Sequence, residues 1–213
     1  TFVGTTGQLV RKNLQDWVWG SITVNGTDWT FNTDTRVVRS YFADQTVTGS
    51  GTFTPKQAMT GTYSKDGRPA TDWGPLQYSL ANALAATQES LTGKWSISDS
   101  SSFNMSIEIE ASGAYTGTTS GSTIGVCSIS GNASQTQLGS AKNMYVMTLA
   151  AVNAASGNQT ACALDTTLPY TGPAGIVLTK AGTFVQNGYF RSLTFHAKSP
   201  NGALITGYLQ KAR

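Results

Sequence analysis

From Phe103 the sequence alternates strictly between apolar and polar residues. Phe103, Met105, Ile107 and Ile109 fall on one face, and Asn104, Ser106, Glu108 and Glu110 on the other. Only an extended strand gathers such a set onto one side, because its successive side chains leave opposite faces. Tyr145-Met147-Leu149 repeats the pattern, as do the run holding Phe190, Leu193, Phe195 and Ala197 and the run Leu204, Thr206, Tyr208 and Gln210. Between and beside the runs stand Asn25-Gly26, Asp66-Gly67, Ser112-Gly113, Ala181-Gly182, Asn187-Gly188 and Asn201-Gly202. Asn-Gly and Asp-Gly readily take the positive φ angles of two-residue hairpins. The chain therefore reads as all-β, with half-buried antiparallel strands joined by tight turns.

One stretch departs from this period. Residues 75–90 carry Leu76, Leu80, Ala83, Leu84 and Thr87 at three- and four-residue spacing and contain no Gly. That spacing predicts one helix there. After it the pattern predicts about eight strands, near 92–97, 103–110, 113–119, 124–131, 143–152, 172–180, 183–196 and 203–209, with a short ninth around Cys162. This count suits a small antiparallel β-barrel or sandwich. Before it lie about five strands, near 17–24, 28–31, 35–42, 45–54 and 58–64, enough for a smaller β-subdomain. The expected organisation is an N-terminal β-subdomain over 1–74, a connecting helix over 75–90 and a C-terminal barrel or sandwich over 91–213. Thr60-Gly61-Thr62-Tyr63 echoes Tyr115-Thr116-Gly117-Thr118. A diverged duplication and simple recurrence in a Gly/Thr-rich chain both account for it.

Charge narrows the classes. Only 12% of residues are charged and the net charge is +3. The aromatic and β-branched content is too high for a disordered chain. No apolar run is long enough to span a membrane as a helix. Lys and Arg are scattered, with Arg11-Lys12 and the terminal Lys211 and Arg213 the densest groups, so no nucleic-acid partner is expected. A surface of Thr, Ser, Gly and Asn in place of Lys and Glu points to an exported protein. Any signal segment is expected to have been removed. Cys127 and Cys162 are the only cysteines. Facing strands can bring them within reach of a bridge closing about 35 residues and contributing roughly 3.5–4 kcal/mol. Such a bridge belongs to an oxidising compartment; the alternative is two buried thiols.

Residues able to carry chemistry are few. His196, the single imidazole, lies in a strand-like run, and Ser98–Ser102 lack the strand-to-helix turn of a nucleophile elbow. Glu108 and Glu110 share a strand face and form the best carboxylate pair. Asp28, Asn32 and Asp34 resemble the start of a calcium loop but lack its Gly and its bidentate Glu. No metal, cofactor or catalytic residue is expected. Trp17, Trp19 and Trp29, with Phe31, form the most distinctive local cluster. Exposed indoles would be a platform for a glycan or another surface protein; buried ones would be core.

Gly93-Lys94-Trp95, opening the second β-domain, resembles the Gly-x-Trp of lipocalins and related calycins. There the Trp closes one end of the barrel under an Arg of a late strand, which implies the pair Trp95 and Arg191. Over residues 90–213 a wider set of features is similar to Gly/Thr-rich β-domains of surface or fimbria-associated lipoproteins of Gram-negative bacteria. These features are Gly-x-Trp, residues 112–121, Cys127 with Gly131, Asn143 to Val146, Cys162, Tyr170 to Ala174 and Asn187 to Phe190. That resemblance implies export to the periplasm, outer membrane or cell surface, a disulfide and a β-barrel or sandwich. It leaves open a lipid anchor ahead of Thr1. The function expected is a surface or fimbria-associated structural or adhesion protein without catalytic activity. The alternatives are a calycin-like small-ligand carrier and a secreted hydrolase.

Overall fold

The computed structural model describes residues 2–3, 8–13, 16–38, 44–99, 101–180 and 189–212. The turn signals at Ala181-Gly182 and Asn187-Gly188, and the expected strand beyond Val38, lie outside these residues. The chain divides into two compact units, Thr1–Leu80 and Ala81–Arg213.

The first unit is antiparallel throughout. Its strands are β1 (Phe2–Val3), β2 (Gln8–Asn13), β3 (Asp16–Asn25), β4 (Asp28–Phe31), β5 (Arg36–Val38), β6 (Gln45–Thr54), β7 (Ala58–Lys65), β8 (Thr71–Asp72) and β9 (Leu76–Gln77). β4 and β5 both pair with β3 and β6, so they lie end to end between those two long strands. One face of the sheet carries Ile22, Trp29, Phe31 and Val47, which pack with Trp73. The indole of Trp73 sits 6.0 Å from that of Trp29, 5.1 Å from the Phe31 ring and 5.7 Å from Tyr63. Gly61 makes room for this stack: a Cβ there would approach the Trp29 ring to 2.7 Å.

The second unit is a closed eight-stranded barrel. Its strands are β10 (Gly93–Asp99), β11 (Phe103–Ile109), β12 (Ala114–Ser120), β13 (Cys127–Gln135), β14 (Tyr145–Asn153), β15 (Tyr170–Lys180), β16 (Tyr189–Lys198) and β17 (Leu204–Lys211). Each pairs antiparallel with the next, and β10 pairs with β17 at Trp95–Lys211 and Ser96–Gln210. The barrel thus takes the closed form of the two architectures expected. Alternation assigns the faces as the period of two requires: Met105, Ile107, Ile129, Tyr145, Met147, Leu149, Ile176, Leu193, Phe195 and Leu209 point inward and are 2% exposed or less. Residues lining a chamber wide enough for water would retain accessible surface. These do not, so side chains fill the interior. The fit is close: a Cβ on Gly207 would lie 1.9 Å from the Phe195 ring.

The helix expected over 75–90 is absent. Leu76–Gln77 is β9, and the remainder holds only two short 3₁₀ turns, Leu80–Ala83 and Gln88–Leu91. The apolar spacing makes no common stripe: Leu80 is 83% exposed, Ala83 and Thr87 are exposed, and Leu76 packs within the first unit. Leu91 and Ala86 are buried in the barrel core and Leu84 packs against it. The division between the units falls inside this segment, after Leu80. The ninth strand at Cys162 reduces to one bridge between Val126 and Ala161.

Candidate functional site

In an eight-stranded barrel a ligand enters through an end, so the two ends are the places to examine. One is closed by residues 81–92. Gln88 reaches the end of β13, donating from Nε2 to the Ala133 carbonyl at 2.8 Å and accepting at Oε1 from the Gln135 amide at 2.8 Å. Gln135, 4% exposed, donates to the carbonyls of Ala86, Ser140 and Lys142. Asn143 Nδ2 donates to Ala81, Tyr145 Oη to Thr87, Trp95 Nε1 to Leu91 and Lys211 Nζ to Ser90, each to the main-chain carbonyl. In a helix such carbonyls would accept from amides four residues on. Barrel side chains take them here, which is why the segment lies flat as a strap. Alanine at Gln88 leaves the Gln135 amide and the Ala133 carbonyl unpaired. It is expected to cost about 2 kcal/mol, read as a lower thermal midpoint with an unchanged far-ultraviolet circular dichroism spectrum.

Trp95 lies fully buried at this end. The cation over its ring is Lys211, with Nζ 5.1 Å from the centroid. Register explains why this is not Arg191: Lys211 stands directly opposite Trp95 across the β10–β17 pairing, whereas Arg191 lies on β16 opposite Leu178 and is exposed. Arg191 still acts on Lys211. Burial, and then the Arg191 charge, hold the Lys211 pKa below its ordinary value. Burial also pushes the phenol of Tyr145 up to about 12, which keeps it a neutral donor to the strap.

The other end is closed by residues 121–126 and the long connection 154–169. Cys127 and Cys162 form a disulfide. Around it the Val126 amide donates to Thr160, Ala163 to Ile124 and Ala154 to Val126. Ile124 is buried, and Leu164 packs on the barrel core. Asp165 fastens the connection to the β16–β17 turn. It accepts at Oδ1 from the Thr167 amide and hydroxyl and at Oδ2 from Asn201 Nδ2 at 2.8 Å. These bonds, those of Thr167 foremost, hold its carboxyl well below its ordinary value of 3.8. A carboxyl lowered by folding stabilises the fold above its unfolded pKa and loses that contribution as pH falls through the folded one. The thermal midpoint is therefore expected to decline as pH drops below about 3.8, and Asp165→Asn to flatten that decline. Parallel melts of the two proteins at pH 5 and pH 2.5 measure the difference.

The remaining candidates scatter. Trp29 is 1% exposed, with Nε1 donating to the Thr60 carbonyl; it is core, because its strand position faces the same way as the buried Phe31 and Ile22. Trp17 is buried and stacks on the half-buried Trp19 at 6.2 Å. Both alternate with Val18 on β3 and leave the face opposite the core. The three Trp therefore do not form one platform. His196 is on the outer wall, its Nδ1 3.0 Å from the Thr206 hydroxyl. Glu108 lies 3.8 Å from Lys94, both well exposed, and Glu110 sits just past the end of β11. Asn32 and Asp34 both bond the Ser21 hydroxyl, while Asp28 is at the far end of β4. Among the described residues no three His, Cys, Asp or Glu side chains gather as a metal group would require. No residue pattern marks the glutamine strap, because a half-buried Gln88 or a buried Gln135 has the same spelling as a solvated one. No helix among the described residues is long and apolar enough to cross a membrane. Comparisons with protein-family models, with curated proteins and with solved structures give no match.

Proposed function

We propose that the chain is an exported structural or adhesion protein of the cell surface, without catalytic activity. The observation that carries this reading is the barrel itself: its interior is filled, and each end is shut by a bonded segment of its own chain. A carrier needs a chamber, and a hydrolase needs a base beside a nucleophile. The filled interior speaks against the first. The Thr206 hydroxyl beside His196 donates to the Phe195 carbonyl at 3.0 Å and not to the imidazole, and Glu108 is paired with Lys94 on the open wall; both placements speak against the second. The outer wall supports a role in contact. Ser96, Ser106, Thr118 and Ser128 stand side by side across four strands, and Glu108, Thr116 and Ser130 across three. Such a surface offers hydroxyls to water, a glycan or another surface protein. The disulfide fits an oxidising compartment, and attachment to fimbriae, or through a lipid at the N-terminal side, belongs to the same reading. Labelling of intact producing cells with a membrane-impermeant amine reagent tests it. Labelling of the chain before lysis is expected; labelling only after lysis would overturn the surface assignment. A calycin-like carrier is kept as the second reading because Trp95 and its overlying cation repeat the calycin barrel closure. Saturable quenching of Trp fluorescence by a small apolar ligand would favour it.

A further inference from the structure

Four Asn-x-Ser/Thr triplets run through the chain: Asn25-Gly26-Thr27, Asn104-Met105-Ser106, Asn132-Ala133-Ser134 and Asn158-Gln159-Thr160. This triplet is the acceptor for N-linked glycans, and in a folded secreted protein it must sit on the surface. We propose that Asn25 and Asn158 are N-glycosylation sites and that Asn104 and Asn132 are not. The inference rests on the export half of the reading above.

The structure sorts the four. Asn25 ends β3 at the hairpin to β4, and Asn158 lies in a turn of the connection 154–169; both are exposed, as are the hydroxyl residues Thr27 and Thr160. A glycine flanks each acceptor, Gly26 at φ +62° and Gly157 at φ +57°, and a Cβ on either would meet nothing within 4 Å. A sugar leaving these turns enters open solvent. Asn104 and Asn132 are instead half-buried in the barrel wall with their side-chain oxygens engaged. Asn104 Oδ1 accepts from the Ser98 hydroxyl at 2.7 Å, and Asn132 Oδ1 accepts from Ser134, the very hydroxyl its triplet would use. Two further features point the same way. Val24, beside Asn25, is 49% exposed, and a glycan at the hairpin tip would cover it. With 12% charged residues, the surface lacks the charge that keeps most domains dispersed, and glycans supply hydration without charge.

The transfer uses an oligosaccharide carried on a polyprenyl pyrophosphate. The asparagine Nδ2 forms a bond to the anomeric carbon of the first sugar, the bond from that carbon to the pyrophosphate oxygen breaks with its electron pair staying on that oxygen, and the proton lost by the amide balances the charge of the released pyrophosphate. The lipid pyrophosphate leaves.

The test directs the whole chain through the secretory pathway of yeast and maps glycans by peptide mass spectrometry, with and without an amidase that releases N-glycans. Occupancy at Asn25 and Asn158 is expected, with Asn25→Gln and Asn158→Gln each removing one glycan mass. Thr27→Ala and Thr160→Ala should do the same while leaving the asparagine in place. Secreted protein without free thiols but with both asparagines bare overturns the inference and leaves export standing. A glycan on Asn104 or Asn132 overturns the sorting. Chain retained in the cell with free thiols and bare asparagines overturns both this inference and the export reading.

Discussion

Replacing Trp29 with alanine is expected to cost the first unit about 3–5 kcal/mol, the range for large-to-small changes in a packed core. Three things are lost together. The ring leaves a stack in which it lies 5.0 Å from Phe31 and 6.0 Å from Trp73. The Thr60 carbonyl loses its indole donor. The space over Gly61, which only a missing side chain creates, becomes a void. Trp19→Ala should cost far less, since that ring is half-buried and on the other face of β3. Urea unfolding followed by Trp fluorescence separates the two. Equal losses would mean that both faces of β3 are core, and would remove Trp19 as a recognition residue as well.

Serine at both Cys127 and Cys162 is expected to destabilise the barrel by about 4 kcal/mol, the chain-entropy value for a loop of this size. The bridge spans 35 positions and ties the start of β13 to the connection 154–169. Without it that connection keeps its backbone bonds to Ile124 and Val126 and its anchor at Asp165. The expected result is a lower midpoint with the barrel spectrum retained. Limited proteolysis should then cut first within 154–169. Full-length protein that resists both urea and protease after the substitution would show that the bonds alone hold the lid.

Much of the barrel was legible because its residues obey one rule at a time. Phe103 to Ile109 alternates without exception, so face and strand follow directly. Asn201-Gly202 does mark the β16–β17 turn, and the two cysteines, each without a third partner, do pair. Residues 75–90 form no helix although Leu and Ala stand at helical spacing, because Ala86, which dips into the barrel core, stands off the stripe that spacing would form. What holds the segment flat is the set of barrel donors at Gln135, Asn143 and Tyr145, which lie up to 62 residues from the carbonyls they reach. The Trp cluster failed for a related reason. Trp17 and Trp29 are written alike, but β3 and β4 place them on opposite faces, and register is a property of paired strands. The same holds for Arg191 and Lys211, where one step around the barrel decides which cation covers Trp95.

The barrel's closing contact bears on how the unit answers to force. β10 begins and β17 ends at the same end of the barrel, side by side, and they share the pairs Trp95–Lys211 and Ser96–Gln210, extended by the bond from the Ala212 amide to the Lys94 carbonyl. Tension drawing the two chain ends apart would therefore peel that contact open one rung at a time, instead of shearing many rungs together. Lys211 stands beside the first bond of that seam, with Nζ bonded to the Ser90 carbonyl and lying over the Trp95 ring. It acts as a rivet at the point where the tear would begin.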